Sequence, residues 1–508
     1  MADASAPNLW ALADAAPPSL ERAGSSGPTG ALPARRGRSL HWVVSAVPAL
    51  TLIVMLGVLV LLPLSLPASA RTALFVFGLA VVLWSTTSIN AAYVALAAVV
   101  LLVLAGGASQ EKLFSALASD VVWLMIGAFV LGAAVQGTGL AARLTGLVTR
   151  RARTVGQMFW LVTTALWPLT FLIPSTSGRA AVALPVFHSL GAAAGGDARV
   201  TRAMALLIPT VILVTTVGAL TGAGSHLVAN DLLERVAGRR VSFLQWILYG
   251  LPFAVAAGYM SCAVVLWMFV PAEVRGRPLA RAIAGAAGDG AGERPLTRAE
   301  KVTLLITAAM VVLWLTEPWH KVEIATVSVI GALALTVPFG GVVTWKEGLK
   351  AVSWDLVVFV GAALVLGNAL IETGAADWII KQLFAASGLT GGRSTLLVLL
   401  GLALISLTSH IYMTSHAARA AALVPPLLYL GQALELDPVA VMFIGTVGMD
   451  YCLTFPVSSK ALLMFQGVDG ETFRPADLLR LSAVLLVAHA ALIVLFYFAY
   501  WRFVGLAF

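Results

Sequence analysis

Apolar runs long enough to cross a lipid bilayer recur along the chain from residue 42 to the C-terminus. Only 11% of the 508 residues are charged and 60% are hydrophobic, whereas a soluble domain carries about 25% charged residues. Lipid offers no hydrogen-bond partners, so a spanning segment has to pair its own backbone groups, which a helix does within itself. The sequence therefore predicts an all-α polytopic membrane protein.

The apolar runs predict about eleven transmembrane helices. These spans are 42–64, 71–89, 90–107, 118–140, 203–235, 241–270, 302–319, 321–338, 354–383, 439–470 and 475–501.

Two other stretches, 157–192 and 394–434, are too long for one straight crossing, and each has a polar centre. A straight helix over the first stretch would extend about 54 Å, although the hydrocarbon core is only about 30 Å thick. Pro174 and Gly178 favour a break in that helix. We expect both stretches to form re-entrant helical hairpins.

Three sequence blocks recur in the same order in the two halves of the chain. PSTSGRAAVALP (174–185) is similar to TSHAARAAALVP (414–425), so that Arg179 matches Arg419. The other blocks pair 81–98 with 311–332 and 120–139 with 354–374. Five predicted spans separate equivalent points, and an odd number gives the halves opposite orientations. Inverted repeats of this kind, with broken helices, are common in secondary transporters.

The repeat divides the chain into four parts. Residues 1–41 are predicted to be a disordered cytoplasmic tail, 42–270 the N-terminal repeat, 271–301 a cytoplasmic linker and 302–508 the C-terminal repeat. Basic residues in 143–153 and in the linker place the N-terminus in the cytoplasm by the positive-inside rule. Cys262 and Cys452 both lie in apolar segments, which argues against a disulfide framework.

With these blocks the sequence resembles the divalent anion/sodium symporter family, whose members carry dicarboxylates, citrate or sulfate. The family has Ser-Asn-Thr at each hairpin tip, where this chain has Ser175-Thr176-Ser177 and Ser415-His416-Ala417. The resemblance implies a homodimer in the bacterial inner membrane. It also implies an elevator-like motion of the hairpins against a fixed domain formed by 42–140 and 302–383.

Each hairpin of the family pairs with a broken helix, and 203–235 and 439–470 correspond to these. Ser225 and Ser459 match a family threonine, whereas His226 and Lys460 replace the proline that follows it. Basic side chains at these positions suggest that a protein charge stands where sodium sits in the relatives. Transport would then be driven by protons or by anion exchange. Alternatively, these side chains face water or pair with Asp450, and sodium coupling is intact.

The predicted substrate-binding residues are hydroxyls and cations at the hairpin tips and helix breaks: Ser175, Thr176, Ser177, Arg179, Ser225, Ser415, His416, Arg419, Ser458 and Ser459. Helix N-termini attract anions, and guanidinium groups bind carboxylate or sulfate through paired hydrogen bonds. Alternatively, the two arginines cap carbonyl groups or extend to the membrane interface.

The predicted coupling-ion or charge-substitute residues are Thr221, Gly224, His226, Asp450 and Lys460. A carboxylate in an apolar stretch needs a partner, and Lys460, ten residues after Asp450, is the candidate that we consider.

These features predict a secondary active transporter of small divalent anions, of the C4-dicarboxylate or sulfate class, with Na⁺ or H⁺ as coupling ion or with exchange. We expect no other metal, no cofactor, no nucleic-acid partner and no enzymatic activity, since the sequence has no HExxH or phosphate-binding glycine loop. A related carrier of arsenite, or a cation/proton antiporter, is the alternative.

Overall fold

The computed structural model describes residues 51–58, 66–87, 89–141, 143, 146, 151–279, 295–387, 394–468 and 472–508. The predicted tail 1–41 lies outside the described residues, as do most of the predicted span 42–64 and residues 280–294 of the predicted linker. The described residues form helices and turns, with one isolated bridge between Thr154 and Pro278 and no strand.

Among the described residues, 51–58 are helical, and eleven further helices lie between residues 68 and 275. They are α1 Ala68–Thr86, α2 Ala91–Leu104, α3 Gln110–Ser115, α4 Asp120–Gly137, α5 Val155–Leu166, α6 Leu169–Leu172, α7 Thr176–Ala193, α8 Ala198–Val214, α9 Gly224–Ala237, α10 Phe243–Phe269 and α11 Ala272–Arg275.

In the described part of the second half, another eleven helices follow. They are α12 Arg298–Leu315, α13 Glu317–His320, α14 Ile324–Thr336, α15 Trp345–Lys350, α16 Trp354–Glu372, α17 Ala375–Ser387, α18 Thr395–Thr408, α19 His416–Ala433, α20 Pro438–Met449, α21 Lys460–Gln466 and α22 Pro475–Ala499.

Seven of the described helical segments are long and apolar enough to cross a membrane, and four shorter ones are also apolar. The prediction of an all-α polytopic membrane protein is confirmed. One predicted span is wrong in detail, because 354–383 is not a single helix. It divides into α16 and α17 at Gly374, whose φ of 77° is left-handed. In the first half, Gly139 follows α4 and is also left-handed, with φ 73°. Glycine adopts this conformation without strain.

The two halves pack reciprocally. Helix α4 of the first half packs against α14 of the second, and α16 of the second half packs against α2 of the first. Likewise α9 packs against α19, while α21 packs against α7. Each contact has its counterpart with the halves exchanged, as a two-fold relation between repeats requires. Gly127 allows α4 and α14 to approach closely, since a Cβ there would lie 2.6 Å from the Ser328 carbonyl.

Each predicted hairpin consists of two arms that both pack against the next helix. In the first half α5 and α7 pack against α8, and in the second half α18 and α19 pack against α20. The helices α8 and α20 are the first segments of the predicted broken helices, and α9 and α21 are the second segments. The chain therefore holds both hairpin tips beside a helix break.

Arg239 and Arg240, in the turn between α9 and α10, are both paired with carboxylates. Arg239 binds Asp437, while Arg240 binds Asp120 at 2.8 Å and lies 3.8 Å from Glu234. These contacts neutralise the two arginines and connect them to other helices of the bundle.

Candidate functional site

Both hairpin tips are helix N-termini capped by a serine. Ser175 Oγ accepts a hydrogen bond from the Gly178 backbone N–H at 3.2 Å, and Ser415 Oγ accepts one from Ala418 at 3.3 Å. The caps have extended backbones, which suits serine at this position. The residues that follow, Thr176, Ser177 and His416, are half-buried. Each tip therefore presents the positive end of a helix and a serine hydroxyl that still has its own proton to donate.

The helix breaks lie between α8 and α9, at residues 215–223, and between α20 and α21, at residues 450–459. Short 3₁₀ turns occupy part of each break, at Thr216–Gly218, Leu220–Gly222 and Pro456–Ser458. The first break is buried throughout, whereas Phe455 and Val457 of the second are exposed. The breaks leave backbone carbonyl groups without helical partners, and the arginine that follows each tip contacts one of the breaks.

Arg179 is fully buried in the first turn of α7. Its Nη2 donates to Thr216 Oγ1 at 3.0 Å and to the Gly222 carbonyl at 3.1 Å, so it binds the first break. Its Nε and Nη1 are buried and have no hydrogen-bond partner among the described residues. One edge of the guanidinium is thus satisfied by the protein, and the remaining N–H groups need an acceptor.

Arg419 has the equivalent position in the second half and is also fully buried. Its Nη2 donates to Cys452 Sγ at 2.6 Å, and the same sulfur lies 3.4 Å from His416 Nε2. Again Nε and Nη1 lack a partner among the described residues. The interpretation of the arginines as residues extending to the membrane interface is therefore wrong, because both guanidinium groups are enclosed in the protein.

His226 and Asp450 form a buried pair that connects the two halves. His226 Nε2 lies 2.8 Å from Asp450 Oδ2, and His226 Nδ1 lies 3.1 Å from the Ala219 carbonyl. Pairing of Asp450 with Lys460, which we considered from the sequence, is wrong. Lys460 begins α21 and is exposed, so the protein does not enclose its charge.

Both ring nitrogens of His226 lie within hydrogen-bond distance of an oxygen atom, Nδ1 of the Ala219 carbonyl and Nε2 of Asp450 Oδ2. Two hydrogen bonds at these positions require two protons on the pair. The pair is then neutral overall, whether as imidazolium and carboxylate or as imidazole and carboxylic acid. Arg179 and Arg419 are left as two cations that this pair does not neutralise.

A string of contacts connects one tip to the other. It runs from Arg179 through the first break to His226 and from there to Asp450. Two residues further along the second break, Cys452 contacts both Arg419 and His416. Five of the predicted site residues belong to this string of contacts: Arg179, His226, His416, Arg419 and Asp450.

Other predicted residues have more local surroundings. Ser225 and Ser458 are buried, and neither hydroxyl has a partner among the described residues. Ser459 caps α21 by accepting a hydrogen bond from Ala461 at 3.2 Å. Thr221 is buried within a 3₁₀ turn, and Gly224 lies under the Leu356 side chain. The contacts of these five residues place none of them against the guanidinium groups.

Sequence reasoning missed three residues that contact the arginines. Thr216, Gly222 and Cys452 belong to the two breaks and have no counterpart in the tip motifs. Gly222 had a signal of its own, since glycine in an unwound segment often permits close backbone approach. A Cβ at this position would lie 2.2 Å from the Thr216 carbonyl oxygen.

Comparison with known proteins agrees with this architecture. Residues 43–507 match the family described as the sodium:sulfate symporter transmembrane region. The chain belongs to this family. The match covers both tips and both breaks, so it includes every residue of the string of contacts.

Individual relatives of this family are similar over most of their length. The citrate/succinate antiporter of Escherichia coli K12 is 24% identical over 74% of this chain and 77% of its own. The sodium-dependent dicarboxylate transporter SdcS of Staphylococcus saprophyticus is 20% identical over 76% of this chain and 78% of its own.

The fold has a counterpart among solved structures. The Alcanivorax borkumensis YdaH transporter superposes with a TM-score of 0.54 at 14% sequence identity, covering 85% of this chain and 99% of that one. At this identity the likeness concerns the fold alone.

Proposed function

We propose that this protein is a secondary active transporter of small divalent anions, of the C4-dicarboxylate, citrate or sulfate class. The anion binds between the two hairpin tips, where Ser175, Thr176, Ser177, Ser415 and His416 face it with Arg179 and Arg419 behind them. The named relatives support this substrate class, since one is a citrate/succinate antiporter and another a dicarboxylate transporter.

The observation that carries the proposal is the incomplete pairing of the two buried guanidinium groups. Both leave Nε and Nη1 without a described partner. A buried charge with unpaired donors costs several kcal/mol, so an anion that accepts these hydrogen bonds would bind favourably. Carboxylate and sulfate oxygens accept paired hydrogen bonds from guanidinium.

The charge of the site supports a dianion in particular. Arg179 and Arg419 contribute two positive charges, while the His226–Asp450 pair is neutral when it holds both protons. A substrate with two negative charges would neutralise the site. The two capped helix N-termini at Ser175 and Ser415 add favourable dipoles.

We further propose how the transport motion occurs. The two re-entrant hairpins and broken helices move together against a fixed domain formed by 42–140 and 302–383, in an elevator-like motion of a homodimer. The N-terminal tail 1–41 and the linker 271–301 face the cytoplasm of a bacterial inner membrane. Na⁺ coupling, H⁺ coupling and anion exchange are all compatible with this motion.

The alternative of a cation/proton antiporter is not favoured by the described residues. Such a carrier needs carboxylates that bind and release cations at membrane depth. The carboxylate that the tips and breaks provide is Asp450, which His226 already occupies at 2.8 Å. Family membership likewise favours anion transport over arsenite transport.

Uptake by purified protein in liposomes tests the proposed function. Radiolabelled succinate, citrate and sulfate are supplied separately, with an inward Na⁺ gradient, with choline, and with unlabelled anion inside. We expect uptake of at least one of the three, and competition by the others in proportion to their affinity. A monodisperse, folded protein that carries none of them under any of these conditions would contradict the proposal.

A further inference from the structure

A cavity lies between α1 and α2, outside the tips and the breaks. It has a volume of about 540 Å³, and it is lined by residues of the first half of α1, by the last turn of α2 and by Gly57 of the helical segment 51–58. That volume is within the range of about 300–1,000 Å³ that is usual for small-molecule sites. We name it the α1 cavity.

The lining of the α1 cavity is apolar apart from one end. Phe75, Val76 and Leu101 contribute hydrocarbon surface. Arg71 and Thr72, in the first two turns of α1, contribute a guanidinium and a hydroxyl. An apolar cavity with one polar, positively charged end suits an anionic amphiphile better than it suits a small polar solute.

Arg71 has no counterion in its own part of the chain. It is the only Asp, Glu, Lys or Arg between Arg38 and Glu111. Its Nε atom is buried and has no hydrogen-bond partner among the described residues. Because a guanidinium keeps its charge at physiological pH, an anion from outside the chain would complete this group.

The end of α2 does not supply the missing acceptor. The carbonyl groups of Leu101, Leu102 and Val103 already accept backbone hydrogen bonds from the residues that follow α2, at 2.8–3.0 Å. None of them accepts a hydrogen bond from Arg71 Nε. The acceptor for this nitrogen therefore has to come from a ligand.

The α1 cavity opens on a surface that lipid covers. Leu101 on its rim is 39% exposed, and the neighbouring Leu104 is 80% exposed. Helix α1 is long and apolar enough to cross a membrane, and Arg71 lies in its first turn. The guanidinium is thus at the end of a span, where phospholipid headgroups lie and where arginine side chains commonly reach them.

We propose that the α1 cavity binds one anionic phospholipid, such as phosphatidylglycerol; this inference does not depend on the proposed function. Arg71 and Thr72 hold the phosphate, and Phe75, Val76 and Leu101 contact the first part of an acyl chain. Guanidinium binds phosphate through paired, charge-assisted hydrogen bonds, which would satisfy the buried Nε.

The charge of the cavity selects an anionic lipid over a zwitterionic one. Phosphatidylglycerol carries one negative charge, which Arg71 neutralises. Phosphatidylcholine also has a phosphate, but its headgroup brings a cation as well. The described lining contains no carboxylate that could hold that cation.

The first experiment measures lipid retention by native mass spectrometry of the purified protein, titrated with phosphatidylglycerol or phosphatidylcholine at equal concentrations. The wild type should retain one phosphatidylglycerol per chain where it retains no phosphatidylcholine. Arg71→Ala should lower the affinity for phosphatidylglycerol at least about tenfold, because charge-assisted hydrogen bonds are lost. Arg71→Lys should lose less, since it keeps the charge without the paired geometry.

Arg502→Ala is the matched control for the charge. Arg502 is exposed, and its guanidinium lies 4.8 Å from the centre of the Phe503 ring instead of lining the α1 cavity. Its removal takes away the same charge from the protein. The affinity for phosphatidylglycerol should remain that of the wild type.

The second experiment fills the cavity and leaves Arg71 in place. Ala105 lines the α1 cavity and is exposed at its rim, whereas its neighbour Leu104 is exposed but does not line it. Ala105→Trp should therefore lower the affinity for phosphatidylglycerol, and Leu104→Trp should not. Gel filtration of each variant shows whether it is folded and monodisperse.

Three results would overturn the inference. The first is a wild type that retains both lipids equally, and the second is a folded Arg71→Ala protein with the affinity of the wild type. The third is unchanged binding by Ala105→Trp, because surface charge without a cavity would then account for retention. The first and third results are decisive even if Arg71→Ala does not fold.

Discussion

Substitution of Asp450 by alanine should abolish transport and strongly destabilise the protein. The change leaves one ring nitrogen of the buried His226 without an acceptor. It also removes the hydrogen bond between α9, the second segment of one broken helix, and the end of α20, the first segment of the other. Breaking a buried pair by removal of one partner costs about 3–5 kcal/mol. Thermal unfolding of the purified protein and exchange in liposomes would measure the two effects.

Asp355→Ala is the matched control for this prediction. Asp355 is exposed and accepts a hydrogen bond from Asn90 at 3.1 Å, so its loss should cost about 1 kcal/mol or less. The double variant His226→Gln/Asp450→Asn should be more stable than the sum of its single variants predicts, because the two amides can pair. Equal effects of Asp450→Ala and Asp355→Ala would contradict the account of the buried pair.

Substitution of Gly222 by alanine should remove most of the transport activity. The new Cβ would lie 2.2 Å from the Thr216 carbonyl and 2.7 Å from Thr170 Oγ1, and both distances are far below van der Waals contact. The first break would have to open, which displaces the two oxygen atoms that hold Arg179 Nη2. Overpacking of this kind costs about 1–3 kcal/mol or more.

Gly218→Ala is a graded control in the same break. A Cβ at Gly218 would meet the Ala254 Cβ at 3.2 Å, a tight contact that requires the break and α10 to separate by only a few tenths of an ångström. Exchange should therefore remain much closer to the wild-type rate than in Gly222→Ala. If both variants lost activity equally, the break would be sensitive to any added volume, and the special role of the Gly222 carbonyl would be refuted.

The fold could be predicted from the sequence because an apolar segment in lipid has to pair its own backbone groups and therefore forms a helix. Span length and composition predicted the helices. The repeated blocks 120–139 and 354–374 both finish with Thr-Gly, and these glycines have positive φ just after α4 and α16. The short helices α3 and α15 were not predicted, because six residues are too few to show a periodic pattern. The hairpin arms and helix breaks lie where polar centres interrupt the apolar runs.

The candidate site was predicted only in part. The tips and arginines stand out because hydroxyls and charges are rare in apolar sequence. The partner of Asp450 could not be found in this way, because His226 is 224 residues away and only the packing of α9 beside α20 brings them together. The same applies to Cys452, whose contact with Arg419 depends on the path of the second break. Partners that are distant in sequence require the three-dimensional structure.

The central claim is that one anion binds between the two hairpin tips, and substrate protection of introduced cysteines tests it most directly. Thr176→Cys and His416→Cys place a thiol at each half-buried tip, while Phe339→Cys places one at a highly exposed position. Both native thiols, Cys262 and Cys452, are buried. We predict that the anion which the wild type exchanges slows maleimide labelling at both tips and leaves Phe339→Cys unchanged. If the transported anion slows labelling at neither tip, the claim is contradicted.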